Sequence, residues 1–241
     1  MIDRILHRAG RAAAMGLLAA TAMLATSSPA HAASLSWSLQ GGLSDGRFGG
    51  DLGDLASHRA AAGAAGVGAS YRVQPWLSIQ PELWWIRKGG RAEMSFDLTP
   101  GVPTTFVSRY KLDYLELPIV ARIEPPLGAF VRPHVIIGAA PAFRMEAQTE
   151  FLYPPVLPVA VRQGLHYANI FERVATSDDA DSYRRFDVDV VGGGGLALGR
   201  GPVAVEFEAR YLYGLRDLMP PGSFFRGYNR AWMFTGGVRI R

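Results

Sequence analysis

Charged side chains at every second position are the residues of this sequence most able to do chemistry. Glu206 and Glu208 are two residues apart, and Arg210 follows at the same spacing. In a β-strand such residues share a face, which places the two carboxylates about 7 Å apart. Carboxylate pairs at that separation can hydrolyse glycosides. The arginine beside them favours the other interpretation, an ion pair between neighbouring side chains of one face.

These charges belong to eight segments in which apolar and polar residues alternate, the pattern of strands with two different faces. The fourth segment is out of phase in its upper part, which predicts a β-bulge near Asp113. No part of the mature chain has 18 consecutive apolar residues, so any membrane span must be built from strands. The predicted strands are Ser34 to Leu43, Ala64 to Val73, Trp76 to Lys88, Tyr110 to Glu124, Val131 to Met145, Phe186 to Gly199, Val203 to Leu215 and Asn229 to Arg241.

The connections between these strands alternate in length, as an up-and-down outer-membrane barrel requires. With both ends of the mature chain in the periplasm, the short turns face the periplasm and the long loops lie outside the cell. The third long loop contains several aromatic residues. It presents them as a contact surface, folds over the barrel mouth and buries them, or extends its strands beyond the membrane. The short turns are Gln74 and Pro75, Pro125 to Phe130 and Gly199 to Pro202; the long loops are Ser44 to Gly63, Gly89 to Arg109, Ala147 to Arg185 and Arg216 to Tyr228.

The first 32 residues have the features of a secretory signal peptide. Three arginines precede an apolar run from Ala12 to Ala25, and Ala30 to Ala32 has the small-residue form of a cleavage site. We therefore predict a signal peptide at 1–32 and one barrel domain at 33–241. Removing the three arginines and one aspartate leaves 22 basic and 20 acidic residues, a net charge of +2. The mature chain thus has no strong charge excess, and no nucleic-acid partner is expected.

The sequence predicts that the apolar face of the strands meets lipid and that the charged face lines the interior. An eight-stranded barrel is just wide enough for side chains to fill, and charges buried there must be paired. We expect a salt-bridged plug, with a selective passage for small solutes as the alternative. Arg72 and Arg144 share this face with the predicted cluster of Glu82, Glu116, Arg122, Arg132, His134, Asp187, Asp189, Glu206, Glu208, Arg210 and Arg239.

Alternation alone does not say which face points inward, so two other classes stay open. A secreted, lipocalin-like carrier would keep Glu206 and Glu208 in water and fill its cavity with Val205 and Phe207. An outer-membrane enzyme acting on lipid or peptide would need an indispensable acid, base or nucleophile. The chain has no cysteine, which excludes thiolate chemistry, and its histidines show no local triad arrangement. We expect no enzymatic activity, no cofactor and no metal.

Five segments resemble a known family in their order and spacing. These are YLELPIVAR from Tyr114, RPHVIIGAAPAF from Arg132, DVDVVGGGGLAL from Asp187, VEFEARYLYGLRDL from Val205, and the closing strand. They are similar to the PorT-type outer-membrane β-barrel family, from about Ser34 to Arg241. The resemblance implies an eight-stranded antiparallel transmembrane barrel in the outer membrane of a Gram-negative-type bacterium. It permits a role in protein export. Expected partners are outer-membrane lipid, the barrel-insertion machinery and a protein at the extracellular loops.

Overall fold

In the described part of the chain, eight strands pair edge to edge until the last meets the first, which closes the sheet into a ring. The computed structural model describes residues 35–55, 58–99, 102–125, 130–152, 174–178, 182–199 and 201–241, so the predicted signal peptide lies outside the described residues. The ring order is β1, β2, β3, β4 with β5, β6, β8, β9 and β10, and neighbours are antiparallel. The elements are β1 (Leu35–Gly49), α1 (Asp51–Leu55), β2 (Ala60–Gln74), β3 (Leu77–Thr99), β4 (Val102–Glu116), β5 (Ile119–Ile123), β6 (Val131–Leu152), β7 (Val174–Asp178), β8 (Phe186–Leu198), β9 (Val203–Gly214) and β10 (Tyr228–Ile240).

The predicted fourth strand is present as two pieces, β4 and β5. Both pieces pair with β3 on one side and with β6 on the other, so they occupy one place in the ring. The break falls at Leu117 and Pro118, because proline has no N–H to donate to a neighbouring strand. The register against β6 shifts between Asp113 and Tyr114, which confirms the bulge predicted near Asp113.

Several strands run further than predicted at the end of the ring that carries the long connections, here called the long-loop end. The loop predicted from Gly89 to Arg109 is a hairpin of β3 and β4, and β1, β2 and β6 are also extended. β7 pairs with the extension of β6. The loop boundaries predicted there were therefore wrong. The first residues of the third long loop continue β6, and Tyr183 near its end is buried, so the described parts fit both the extended and the folded-over expectation. Residues 153–173 and 179–181 of this loop lie outside the described residues.

The two faces of the strands differ sharply in chemistry. Large apolar side chains on the outward face are exposed, whereas charged side chains on the inward face are buried. Phe207 is 53% exposed and its neighbours Glu206 and Glu208 are at most 4% exposed. A lipocalin-like carrier would have the reverse arrangement, so the structure does not favour that alternative. The outward apolar belt includes Leu39, Leu43, Ile79, Ile119, Val135, Ile137, Phe143, Val205, Phe207, Trp232, Phe234 and Val238.

Connecting segments pack against one another at the long-loop end. Leu52 of α1 donates its N–H to the carbonyl of Arg226 at 3.1 Å, and Leu218 donates to the carbonyl of Gly227 at 2.7 Å. Arg184 donates its N–H to the Leu218 carbonyl at 2.6 Å. Leu218 is buried as a result. Within the described residues no helix is long and apolar enough to cross a membrane. We call this layer the long-loop cap; it comprises 50–55, 182–185 and 215–227.

Candidate functional site: the charged interior

The centre of the interior is an ion-pair group around Arg210 of β9. Its guanidinium contacts both carboxylate oxygens of Glu82 from β3, with Nη2 to Oε1 at 2.9 Å. Its Nε donates to Glu208 Oε2 at 2.8 Å. Because β3 and β9 are not neighbours in the sheet, the contact with Glu82 crosses the interior. Trp84 completes the group: its Nε1 donates to Glu82 Oε2 at 2.6 Å, and its ring lies 5.3 Å from the Arg210 guanidinium.

A second arginine, Arg122 of β5, joins the two carboxylates that the sequence placed on one face. Its Nη2 donates to Glu206 Oε1 at 2.8 Å and its Nη1 to Glu208 Oε1 at 3.2 Å. His134 Nε2 lies 3.0 Å from the same oxygen of Glu208. Both carboxylates therefore contact cations, which is the arrangement that the ion-pair interpretation describes. Neither is free to act as a general acid.

A glycine makes room for this group. A Cβ on Gly195 would lie 2.2 Å from the carbonyl oxygen of Phe207, 2.8 Å from Glu208 Cγ and 2.9 Å from His134 Nε2, closer than a Cβ approaches other atoms. Gly195 lies between these residues on β8, paired with His134 of β6 and Glu208 of β9. Glycine at this position is therefore required first by the close backbone of β9 and then by the charged side chains, and the glycine run Gly192 to Gly195 needs no phosphate-binding role.

At the end of the ring opposite the long-loop end, here called the short-turn end, several arginines surround Glu124. This residue follows β5 and lies outside the strands. Its carboxylate is 2.8 Å from Arg122 Nη2, 3.1 Å from Arg132 Nε and 3.7 Å from Arg239 Nη1. Burial acts to raise the pKa of Glu124, but the charge and hydrogen bonds of Arg122, with Arg239 and Arg132, outweigh burial and lower that pKa. Arg241 lies 3.6 Å away. Burial and the repulsion of Arg132 lower the pKa of Arg241.

A separate group of charges lies nearer the long-loop end, around Lys88 of β3. Its ammonium pairs with Glu116 of β4 and with Asp189 of β8. Lys88 also lies 5.1 Å from the ring of Tyr114. Asn229 of β10 donates to Asp187 Oδ2 at 2.9 Å and contacts the Tyr114 hydroxyl oxygen at 3.1 Å. This group therefore links β3, β4, β8 and β10 across the interior.

Closure of the ring brings the residues of the predicted cluster together, and it adds two charged residues that the prediction missed. Ten of its eleven members are at most 6% exposed, and Arg132 is half-buried. Lys88 and Glu124 were not in the predicted cluster. Even-numbered spacing was the signal that could have found them, since Lys88 follows Glu82 by six residues and Glu124 follows Arg122 by two. Arg72 is exposed, and Arg144 donates to the backbone carbonyls of Tyr183 and Arg184 in the long-loop cap.

The chemistry available to this interior is electrostatic cross-linking. Each of the principal cations contacts at least two carboxylates, which ties distant strands together. Across the ranges that the structure describes, no group of three or more His, Asp or Glu residues is placed to hold a metal ion. A charged core of this kind resists both the entry of water and the sliding of strands.

A closed antiparallel ring with an apolar exterior and an ion-paired interior defines the class of transmembrane β-barrels. A family model described as "Outer membrane protein beta-barrel domain" matches residues 27–219, and the chain belongs to that family. The narrower PorT-type assignment stays a prediction. A search of curated proteins gave no match.

Solved structures of other bacterial barrels are similar to this chain at low sequence identity. Neisserial surface protein A is 12% identical, with 85% of this chain and 96% of that chain covered and a TM-score of 0.45. The attachment invasion locus protein Ail of Yersinia pestis, in complex with a heparin analogue, is 13% identical, with 86% and 99% covered and a TM-score of 0.38. OprG from Pseudomonas aeruginosa is 10% identical, with 86% and 95% covered and a TM-score of 0.39.

Proposed function

We propose that this protein is a non-enzymatic outer-membrane barrel with a closed interior, whose work is structural and is done through contacts at its cell-surface end. Its location is the outer membrane of a Gram-negative-type bacterium, reached after removal of the signal peptide. The observation that carries the proposal is the set of ion pairs that cross the interior at two levels, around Arg210 and around Lys88. Side chains so arranged fill an eight-stranded barrel.

The pairing supports a structural role over a passage for small solutes. A conducting path needs charges that face water, whereas Arg210, Glu206 and Asp189 are all buried. Solvent would have to separate Arg210 from both Glu82 and Glu208 before it could pass. Breaking a buried ion pair is costly because it leaves an uncompensated charge. The closed state is therefore the stable state of this interior.

The long-loop cap supplies the contact surface in this proposal. Phe224 is 98% exposed and Phe225 is 52% exposed, although Leu218 of the same cap is buried. Exposure of two adjacent phenylalanines to water is energetically unfavourable, and it is typical of a surface that binds another protein. Arg216 and Arg226, which flank this segment in sequence, are exposed as well. The expected partner is a protein with an apolar patch bordered by acidic residues.

Fractionation of the native host, heat-modifiability on a detergent gel and conductance in a planar lipid bilayer test the proposal together. We expect recovery in the outer membrane, a faster band for the unheated protein and no steady conductance steps. Recovery in a soluble fraction would overturn the membrane location. Steady conductance from the heat-modifiable protein would instead overturn the closed interior and leave the location intact.

A further inference from the structure

The wall of the barrel has a gap between β2 and β3, just beyond the outward apolar belt. Ladder pairing ends at Ala64 with Ile86, and it resumes only at one isolated bridge between His58 and Arg91. The segments 59–63 and 87–90 between these points are not paired with each other. β3 departs from β2 at Gly89, whose φ of +144° favours glycine.

Close backbone contacts show where β3 goes after it leaves β2. A Cβ on Gly46 of β1 would lie 2.9 Å from the backbone of Gly89. Gly46 belongs to the buried, inward face of β1, with Ser44 and Phe48. β3 therefore leans against the inner side of β1 at this level, and it leaves an opening beside the upper part of β2.

A cavity of about 400 Å³ occupies this opening. Its lining has six basic residues and no acidic one. On the β2 side the wall is built from small residues, and their size is what leaves the space open. The lining consists of Arg59, Ala60, Ala61, Ala62, Gly63, Arg87, Lys88, Arg91, Arg109, Tyr110 and Lys111.

Acidic residues outside the lining pair with five of its six cations: Asp45 with Arg59, Asp113 with Arg87, Glu116 and Asp189 with Lys88, Glu93 with Arg91, and Glu150 with Lys111. Asp113 accepts from Nε of Arg87 at 2.5 Å and from its Nη2 at 2.7 Å, which leaves Nη1 for another acceptor. Asp45 accepts from Nη1 of Arg59 at 2.7 Å. Nε of Arg91 is buried and has no hydrogen-bond partner within the described residues. Arginine N–H groups thus remain available to a ligand in the cavity.

The height of the cavity on the barrel wall identifies what can reach it. On the outward face of β1, Leu43 is the last apolar residue of the belt and Asp45 is the next outward residue. On β3, Arg87 follows the outward Trp85 at the same spacing, and its guanidinium lies 5.7 Å from the Trp85 ring. A change from apolar to charged residues marks the boundary between lipid tails and headgroups. The cavity therefore lies at the headgroup level of a barrel in the membrane.

We propose that this cavity, the β2–β3 cleft, binds the phosphate of an anionic lipid headgroup. The inference rests on the membrane location proposed above. Guanidinium groups bind phosphate oxygens in a bidentate manner. Nη1 of Arg87, Nε of Arg91 and the exposed guanidinium of Arg109 are the N–H donors that such a ligand would meet in the cleft. The acyl chains of such a lipid would lie along the apolar belt below the cleft. A free phosphate has the same chemistry but no contact with that belt.

The test is a titration of the purified, folded barrel in a non-ionic detergent, followed by native mass spectrometry. The probes are a short-chain phosphatidic acid, the matching phosphatidylcholine and inorganic phosphate. We expect one bound phosphatidic acid, held at least about tenfold more tightly than either other probe. Equal binding of both lipids would overturn the site. Binding of inorganic phosphate as tight as that of phosphatidic acid would overturn a lipid as its occupant.

Three variants separate the cleft from general surface charge. Arg109→Gln removes an exposed cation of the lining, and the pair Arg87→Gln with Asp113→Asn removes another while the net charge stays constant. Each is expected to weaken phosphatidic acid binding by about tenfold. Arg47→Gln is the matched control, an exposed arginine of β1 at a similar height but outside the lining. An equal loss in the control would contradict the proposal. Heat-modifiability of every variant checks separately that the barrel is folded.

Discussion

Replacing Arg210 by methionine is expected to destabilise the barrel more than any surface change. The variant keeps much of the side-chain volume but leaves Glu82 and Glu208 buried without their shared cation. Glu208 retains Arg122 and His134, at 3.2 and 3.0 Å, whereas Glu82 keeps only neutral donors such as Trp84. Removing one partner of a buried ion pair costs about 3–5 kcal/mol, and we expect a loss of that size in the free energy of unfolding.

The measurement is urea unfolding of the barrel refolded into lipid vesicles, with the heat-modifiable band as the measure of folded protein. Adding Glu82→Gln to Arg210→Met should restore most of the loss, because the unpaired charge is then gone. Arg47→Met is the control on the outer surface and should change the free energy by less than about 0.5 kcal/mol. Equal costs for Arg210→Met and Arg47→Met would refute the reasoning that the interior pairs hold the barrel together. A larger loss of unfolding free energy in the double variant with Glu82→Gln than in Arg210→Met alone would also refute it.

Three further predictions concern the short-turn end, the packing of the wall and the cap. Arginines lower the pKa of Glu124, so its stabilising effect is present above the unfolded pKa of about 4.3 and is lost as pH falls through the lowered, folded-state value. The difference in unfolding free energy between wild type and Glu124→Gln should therefore shrink as pH falls below about 4.3. A difference that stays constant with pH would contradict this. Gly66→Ala would place a Cβ 2.3 Å from the Trp84 ring, so a cost of about 1–3 kcal/mol in urea unfolding is expected, and no cost would contradict the packing described. Phe224→Ser should leave unfolding unchanged while it abolishes binding to the proposed protein partner in a pull-down, and retained binding would exclude that surface.

The strands and their two faces were predictable because alternation is a local property of the chain. Each membrane-spanning strand has lipid on one side and packed side chains on the other, so its sequence alone records the period of two. The bulge near Asp113 was predictable for the same reason, since it is a break in that period. Beyond the membrane both faces of a strand can be polar. Alternation then weakens, and the extension of β3 to Thr99 was missed.

What the sequence by itself determined is therefore a set of eight strands, each with one apolar and one charged face. Which face lies inside was decided by the closed ring. Which charges meet was decided only by the tertiary structure. Arg210 and Glu82 are 128 residues apart, and their contact depends on the curvature of the whole ring. The gap between β2 and β3 likewise depends on how Gly89 packs against β1, a contact between strands that are not neighbours in the ring. Ring closure converts local faces into long-range contacts, and no local pattern in the chain specifies those partners.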